Sequence, residues 1–309
     1  MADNLQPSPT LFHTMKHLLT AFLLLFLFAA CHSDDEEITD SGNVNRNDIS
    51  LYPDAARLEF PKLKTENSVL IVHRTGGEVN YSVEWDYNLK SQRWSCYTLN
   101  RQSLEQHTTR YYGNPQYPLD PDLPAQYYFD RPSADYTTGD YFYGSGFDHG
   151  HICPSADRLY SKEANYQTFY LTNMQPQYKE FNAGLWANME GQVRQWAKSY
   201  NTEMLYVCKG TTIDSEMNII KRIQGKLIVP KYFYMALLLK TAYGYRAIAF
   251  WAENEKVDRD GDKLSKYAIS IDELERRTSI DFFCNLPDQY ENVVESLPRE
   301  QVLRAWNME

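Results

Sequence analysis

YGSGFDHGHICPSADR (143–158), with YLTNMQPQYKEFNAGLW (170–186) close behind it, is the stretch on which the fold and the chemistry turn. The first piece joins a glycine-rich loop to closely spaced Asp148, His149, Gly150 and His151, and a glycine at 150 lets a ligand or another backbone approach closely. The second sets Asn173, Gln177 and Asn182 around a strand that turns into a helix. In AGLWANMEGQVRQWA (183–197) the residues Leu185, Trp186, Met189, Val193 and Trp196 fall within about 100° of arc at about 100° per residue, which marks a core-facing stripe. Glu190 and Arg194 lie at or just beyond the edge of that stripe, where side chains can face a cleft. A histidine on a strand, an amide at a helix start and a helical carboxylate compose a hydrolytic metal site.

Outward from this stretch the chain is rich in strands: SVLIVHR (68–74), VNYSVEWDY (79–87), WSCYTL (94–99), TFYLTNM (168–174), MLYVCKGTTI (204–213), YFYMALLLK (232–240) and YRAIAFWA (245–252). Tyr243-Gly244 is a short hairpin connection between the last two. Helical patterns are few, with two further helices expected over 271–277 and 288–296. The expected fold is therefore α+β, a largely antiparallel sheet core with flanking helices. No low-complexity linker or internal repeat interrupts it, so one domain over 56–309 is expected.

The 309 residues are 43% hydrophobic and 23% charged, and a mean hydropathy of -0.58 excludes both disorder and a polytopic membrane protein. A net charge of -10 argues against attachment to a polyanion by bulk charge, so any nucleic-acid contact must be local. Half of that charge lies in residues 1–48, which carry seven acids and two bases.

LLTAFLLLFLFAA (18–30) follows Met15, Lys16 and His17 and is too short to span a bilayer. A signal peptide over 1–30 is expected, with Met15 as the true start. Ala29, Ala30 and Cys31 resemble the lipobox of bacterial lipoproteins, although Phe28 stands where a branched aliphatic is usual. Cys31 is thus the expected lipidation site, and the protein is expected at the outer membrane of the cell envelope. HSDDEEITDSGNVNRND (32–48) is acidic and free of aromatics, a tether within a linker over 31–55. Its acidic run also resembles a surface-export signal, though a solvated linker commonly looks the same. Cys96, Cys153, Cys208 and Cys284 remain, which allows up to two disulfides in an oxidising compartment with the pairing open.

DHGH, TNMQPQ, FNAGLW and the glutamate four residues past Trp186 resemble the DNA/RNA non-specific endonuclease family with its ββα-metal finger. RYYGNPQYPLDP (110–121), IVPKYFY, AIAFWAEN and DELERRTSIDFFCNLPD (272–288) add to the resemblance, which spans about 68–295. It implies His151 as general base, Asn182 as metal ligand, Glu190 as assisting carboxylate, and Asp148, Asn173, Gln177 and Arg194 as supporting positions. Arg110 is the candidate phosphate-binding arginine. Phosphodiester hydrolysis needs a base for water, a cation at the leaving oxygen and positive charge for the transition state. An amide oxygen is a hard ligand suited to Mg²⁺, with Mn²⁺ as the alternative ion. Eight residues along a helix are about 12 Å of rise, which assigns Asn182 to the ion and Glu190 to a water of its shell.

One position departs from the family pattern. His149 stands where an arginine is usual, which removes a permanent charge and a bidentate phosphate donor. A zinc pair of His149 and His151 is a second reading of the same residues, but it lacks a third ligand at suitable spacing. The expected function is a lipid-anchored endonuclease that meets DNA and RNA through their phosphates, with oligomeric state left open. The rival is a surface lipoprotein on the same fold that binds nucleic acid or a glycan without cutting.

Overall fold

The structure, a computed structural model, describes residues 43–129 and 141–309. The expected signal peptide, Cys31 and most of the acidic stretch lie outside the described residues. In chain order, strands β1 (Ser68–Thr75), β2 (Glu78–Asp86) and β3 (Ser91–Leu99) come first. Strand β4 (Asp148–His151), helix α1 (Lys162–Gln167), strand β5 (Met174–Gln177) and helix α2 (Ala187–Lys198) follow. Strands β6 (Met204–Thr211), β7 (Ile219–Ile223), β8 (Leu227–Pro230), β9 (Tyr232–Thr241), β10 (Gly244–Glu253) and β11 (Ala268–Ile269) come next. Helices α3 (Ile271–Thr278), α4 (Asp288–Glu295) and α5 (Arg299–Ala305) complete the series.

Seven strands pair antiparallel in the order β1-β2-β3-β6-β9-β10-β11, while β4-β5 and β7-β8 form two separate ribbons. The protein is an α+β fold on an antiparallel core. Strand alternation feeds two cores from one sheet. On β9, Phe233, Met235, Leu237 and Leu239 face a core shared with Leu185, Trp186, Met189 and Val193 of the α2 region. Tyr234, Ala236 and Leu238 face the opposite core, built with Ile271 and Leu274 of α3 and Val294 of α4. The stripe expected on α2 is therefore buried, each large apolar side chain contributing about 1.5–3 kcal/mol. Trp196 at its end packs edge-on against Trp306, centroids 4.6 Å apart.

Three features depart from the expectation. TFYLTNM is not a strand: residues 168–170 form a turn and bend after α1, Leu171–Asn173 is a 3-10 turn, and pairing begins only at Met174. The Asn173 amide donates to two backbone carbonyls and accepts from one backbone N–H, bonds that compete with a ladder. The chain is also docked from Asn43, inside the stretch taken as tether. Asn43 bonds the Cys284 and Leu286 carbonyls, and Asn47 those of Ala55 and Pro61. Side-chain amides here do the holding that apolar burial does elsewhere. Finally, Cys96, Cys153, Cys208 and Cys284 are all buried and free. Cys96 and Cys208 face each other across the β3-β6 ladder, yet neither takes part in a disulfide.

Candidate active site

Strand β4 lies against β5 with His151 opposite Met174 and Asp148 opposite Gln177. Gly150 is required there: a Cβ would stand 2.2 Å from Gln177 Oε1, so the fully buried Gln177 packs behind the histidines instead of beside them. Asn173 braces the same ribbon from beneath. Its Oδ1 accepts from the Cys153 backbone N–H at 2.8 Å and from Ser95 Oγ at 3.2 Å. After β5 the chain turns through a π-helical segment, Phe181–Trp186, into α2. Such wide turns often sit at functional sites, and this one carries Asn182.

Arg110, Asp148, His149, His151, Asn182 and Glu190 line one cleft of about 410 Å³. His151 Nε2 is shielded and has no hydrogen-bond partner, while the ring is hydrogen-bonded to the His149 backbone. With Nε2 unpartnered, that bond belongs to Nδ1–H and leaves a lone pair on Nε2. Burial, then the Arg110 charge and His149, push the His151 pKa down to about 3, the backbone bond opposing. The imidazole is therefore neutral, with the Nε2 lone pair unpartnered.

Arg110 lies over the Phe169 ring at 4.8 Å, and Phe169 meets His151 edge-on at 4.9 Å, which explains how an exposed arginine reaches the histidine's field. Asn182 Nδ2 donates to Asp148 Oδ2 at 3.0 Å; the amide oxygen is thereby left as the acceptor. A hard divalent cation fits a cleft that offers this oxygen beside the Asp148 and Glu190 carboxylates. Among the described residues no metal-ligating cluster includes His149 and His151.

His149 lies flat between Tyr117, centroids 3.7 Å apart and 3° from parallel, and Phe142 at 4.2 Å and 18°. Arg194 is absent from the cleft lining. Its Nη1 pairs with Asp157 Oδ1 at 2.9 Å, and Asp157 also accepts the Tyr97 hydroxyl at 2.9 Å. Cys153 is fully buried, its thiol pushed up to about 12 chiefly by burial, which suits a core cysteine and not a nucleophile.

Sequence reasoning missed Lys209, a fully buried lysine on β6 whose Nζ stands 3.3 Å from Glu190 Oε1. It is flanked by the Tyr97 and Trp186 rings at 5.7 and 5.5 Å. Burial raises the Glu190 pKa and Lys209 opposes that rise. A lysine inside the apolar run MLYVCKGTTI was the signal that pointed to it.

The profile of the DNA/RNA non-specific endonuclease family matches residues 70–289. Nuclease C1 of Cunninghamella echinulata var. echinulata is 29% identical over 220 residues, covering 67% of this chain and 81% of its own length. A nuclease of Nostoc sp. is 28% identical over 249 residues, covering 76% and 80%. Human mitochondrial endonuclease G is 32% identical over 159 residues, covering 48% and 52%. In fold, the chain is similar to EndoG solved in complex with EndoGI, with a TM-score of 0.54 and 19% identity over 71% of this chain and 88% of that one.

Proposed function

Since the chain belongs to the DNA/RNA non-specific endonuclease family and is a metal-dependent nuclease, we propose that it hydrolyses phosphodiester bonds of both DNA and RNA with His151 as the base. The observation that carries this assignment is the unpartnered Nε2 of a neutral His151 in the same cleft as Asn182 and Glu190. His151 Nε2 accepts the proton of the attacking water. Arg110 offers its guanidinium to the phosphate, a contact blind to base identity. Asn182 Oδ1 is the atom that would hold Mg²⁺ or Mn²⁺, with Asp148 orienting the amide through its hydrogen bond and Glu190 serving a water of the ion's shell. When bound, the ion supplies charge stabilisation at the phosphate and leaving oxygens. Lys209 keeps Glu190 oriented within an otherwise apolar wall.

His149 is the weakest part of the cleft as a phosphate site, because a ring clamped between two aromatic rings presents only its edge. The non-cutting alternative is favoured by no feature of the cleft. Outside the described residues, the apolar run before Cys31 and the acidic run after it support a secreted protein, lipid-anchored at the outer membrane through Cys31. Palmitate-analogue labelling abolished by Cys31→Ser is the expected result, and an unlabelled but secreted product refutes the anchor.

The decisive assay is nicking of plasmid DNA and degradation of RNA by protein lacking residues 1–31, with and without EDTA. Cleavage of both that stops with EDTA and returns with Mg²⁺ is expected. A strict demand for one sugar or one base sequence counts against the proposal.

A further inference from the structure

His73 is 1% exposed, and neither of its ring nitrogens has a hydrogen-bond partner. A buried imidazole in that state needs an explanation. Two carboxylates stand beside it: Asp120 Oδ2 is 3.1 Å from Nε2 and Asp122 Oδ2 is 3.3 Å from Nδ1. The distances are short, but the N–H directions do not meet the oxygens, and alignment is what makes a hydrogen bond. Two ligands of one ion behave this way, since each points at the ion and not at its neighbour. With metal–ligand distances of about 2.0–2.2 Å, two such ligands stand roughly 3 to 3.5 Å apart.

From this geometry we infer that His73, Asp120 and Asp122 form a second metal site, separate from the cleft, for a borderline transition cation of the Zn²⁺ class. Ligand atoms from the three residues lie within 4.8 Å of one another. Imidazole with carboxylate favours Zn²⁺ over Mg²⁺, which prefers an all-oxygen shell.

The surroundings agree. Asp120 is 2% exposed, and no lysine or arginine pairs with either carboxylate among the described residues; a buried carboxylate is costly without a cation. Asp120 is preset by the Thr172 hydroxyl, which donates to Oδ2, and by the Asp122 backbone N–H, which donates to Oδ1 at 2.9 Å. Asp122, 58% exposed at its side chain, gives the ion a way in. The site would pin the loop carrying Asp120 to the sheet-edge strand β1. That loop also carries Tyr117, stacked on His149, so the ion would steady one wall of the cleft from outside it.

The test uses the chain from residue 32 onward, stripped with EDTA and dialysed into excess Mg²⁺ to occupy the cleft, then titrated with Zn²⁺. Bound metal is counted by mass spectrometry, and unfolding temperature is read in parallel. One equivalent of Zn²⁺ and a concentration-dependent rise in unfolding temperature are expected. Asp122→Asn, on the exposed rim, should weaken Zn²⁺ binding at least tenfold, and His73→Gln should abolish it. Absence of Zn²⁺ uptake by the parent overturns the site. So does unchanged uptake in Asp122→Asn, which still reads the site if His73→Gln fails to fold.

Discussion

Two histidines with unpartnered ring nitrogens, His73 on the sheet-edge strand β1 and His151 on the separate β4-β5 ribbon, sit in opposite electrostatic settings. Around His151 every buried acid has a base: Glu190 meets Lys209 at 3.3 Å and Asp157 meets Arg194 at 2.9 Å. Around His73 two acids converge, and among the described residues no lysine or arginine answers them. The same imidazole is thereby prepared for different work. Burial and then the Arg110 charge keep His151 neutral, whereas paired carboxylates suit the His73 pocket to a cation. Residue type alone does not assign a role; the charges around it do.

The largest expected effect sharpens this contrast. His151→Ala should lower turnover 10² to 10⁴-fold, roughly the worth of a general base, with substrate affinity and unfolding temperature nearly unchanged. His73→Gln should do the reverse, lowering unfolding temperature while sparing most of the turnover. Initial rates and thermal melts on both variants decide it, and loss of turnover in both would merge the two regions into one site.

Next in size is Lys209→Met. It strands a buried Glu190 carboxylate, and breaking a buried pair costs about 3–5 kcal/mol. Denaturant unfolding measures this, and Lys209→Met with Glu190→Gln should recover much of the loss. A stability unchanged by the single substitution would mean that the cleft acids do not need their bases.

A pH experiment probes the neutral imidazole. The His151 pKa falls from 6.5 to about 3 on folding, so the unfolded chain gains the proton first as the medium acidifies. Its contribution to stability is complete above about pH 6.5 and is lost progressively between 6.5 and 3. The acid limb of kcat/KM should accordingly lie below the usual histidine range. A limb centred at 6.5 would show that the cleft is wetter than its geometry implies.

Asn182→Ala should raise the Mg²⁺ concentration for half-maximal rate without a large loss of stability. Equal half-saturation in variant and parent would remove Asn182 as ligand. The smallest change is expected of His149→Arg. A guanidinium between Tyr117 and Phe142 keeps the stack and adds a permanent charge, worth about tenfold in rate near pH 8 for each 1.4 kcal/mol realised in the transition state. Superimposable pH profiles would make His149 a packing residue.

The long strands β9 and β10 are legible because their apolar runs bury both faces, and the α2 stripe because its period is helical. Lys209, Asp157 and the His73 pocket are not, since each gains its meaning from a partner far away in sequence. Arg194 shows the limit: helix geometry places it near the cleft edge, but Asp157, on a loop 37 residues earlier, holds it. The β7-β8 ribbon also escaped notice, though Gln224 and Gly225 both have positive φ, at 51° and 70°, in the manner of tight hairpins.

The asparagine clasp at the start of the described chain has an orientational consequence. Asn43, Asn45 and Asn47 bond to Leu286, Glu291 and Pro61, beside the core that contains Ala55, Phe60, α3 and α4. The cleft belongs to the other face, with Ile152, Leu185 and Trp186. The described chain therefore begins against the core on one side of the sheet, while the cleft residues pack over the core on the other. Tension applied at Asn43 would fall first on these side-chain amides and on the segment from Cys284 to Glu291 that they hold, with the β4-β5 ribbon outside the loaded path.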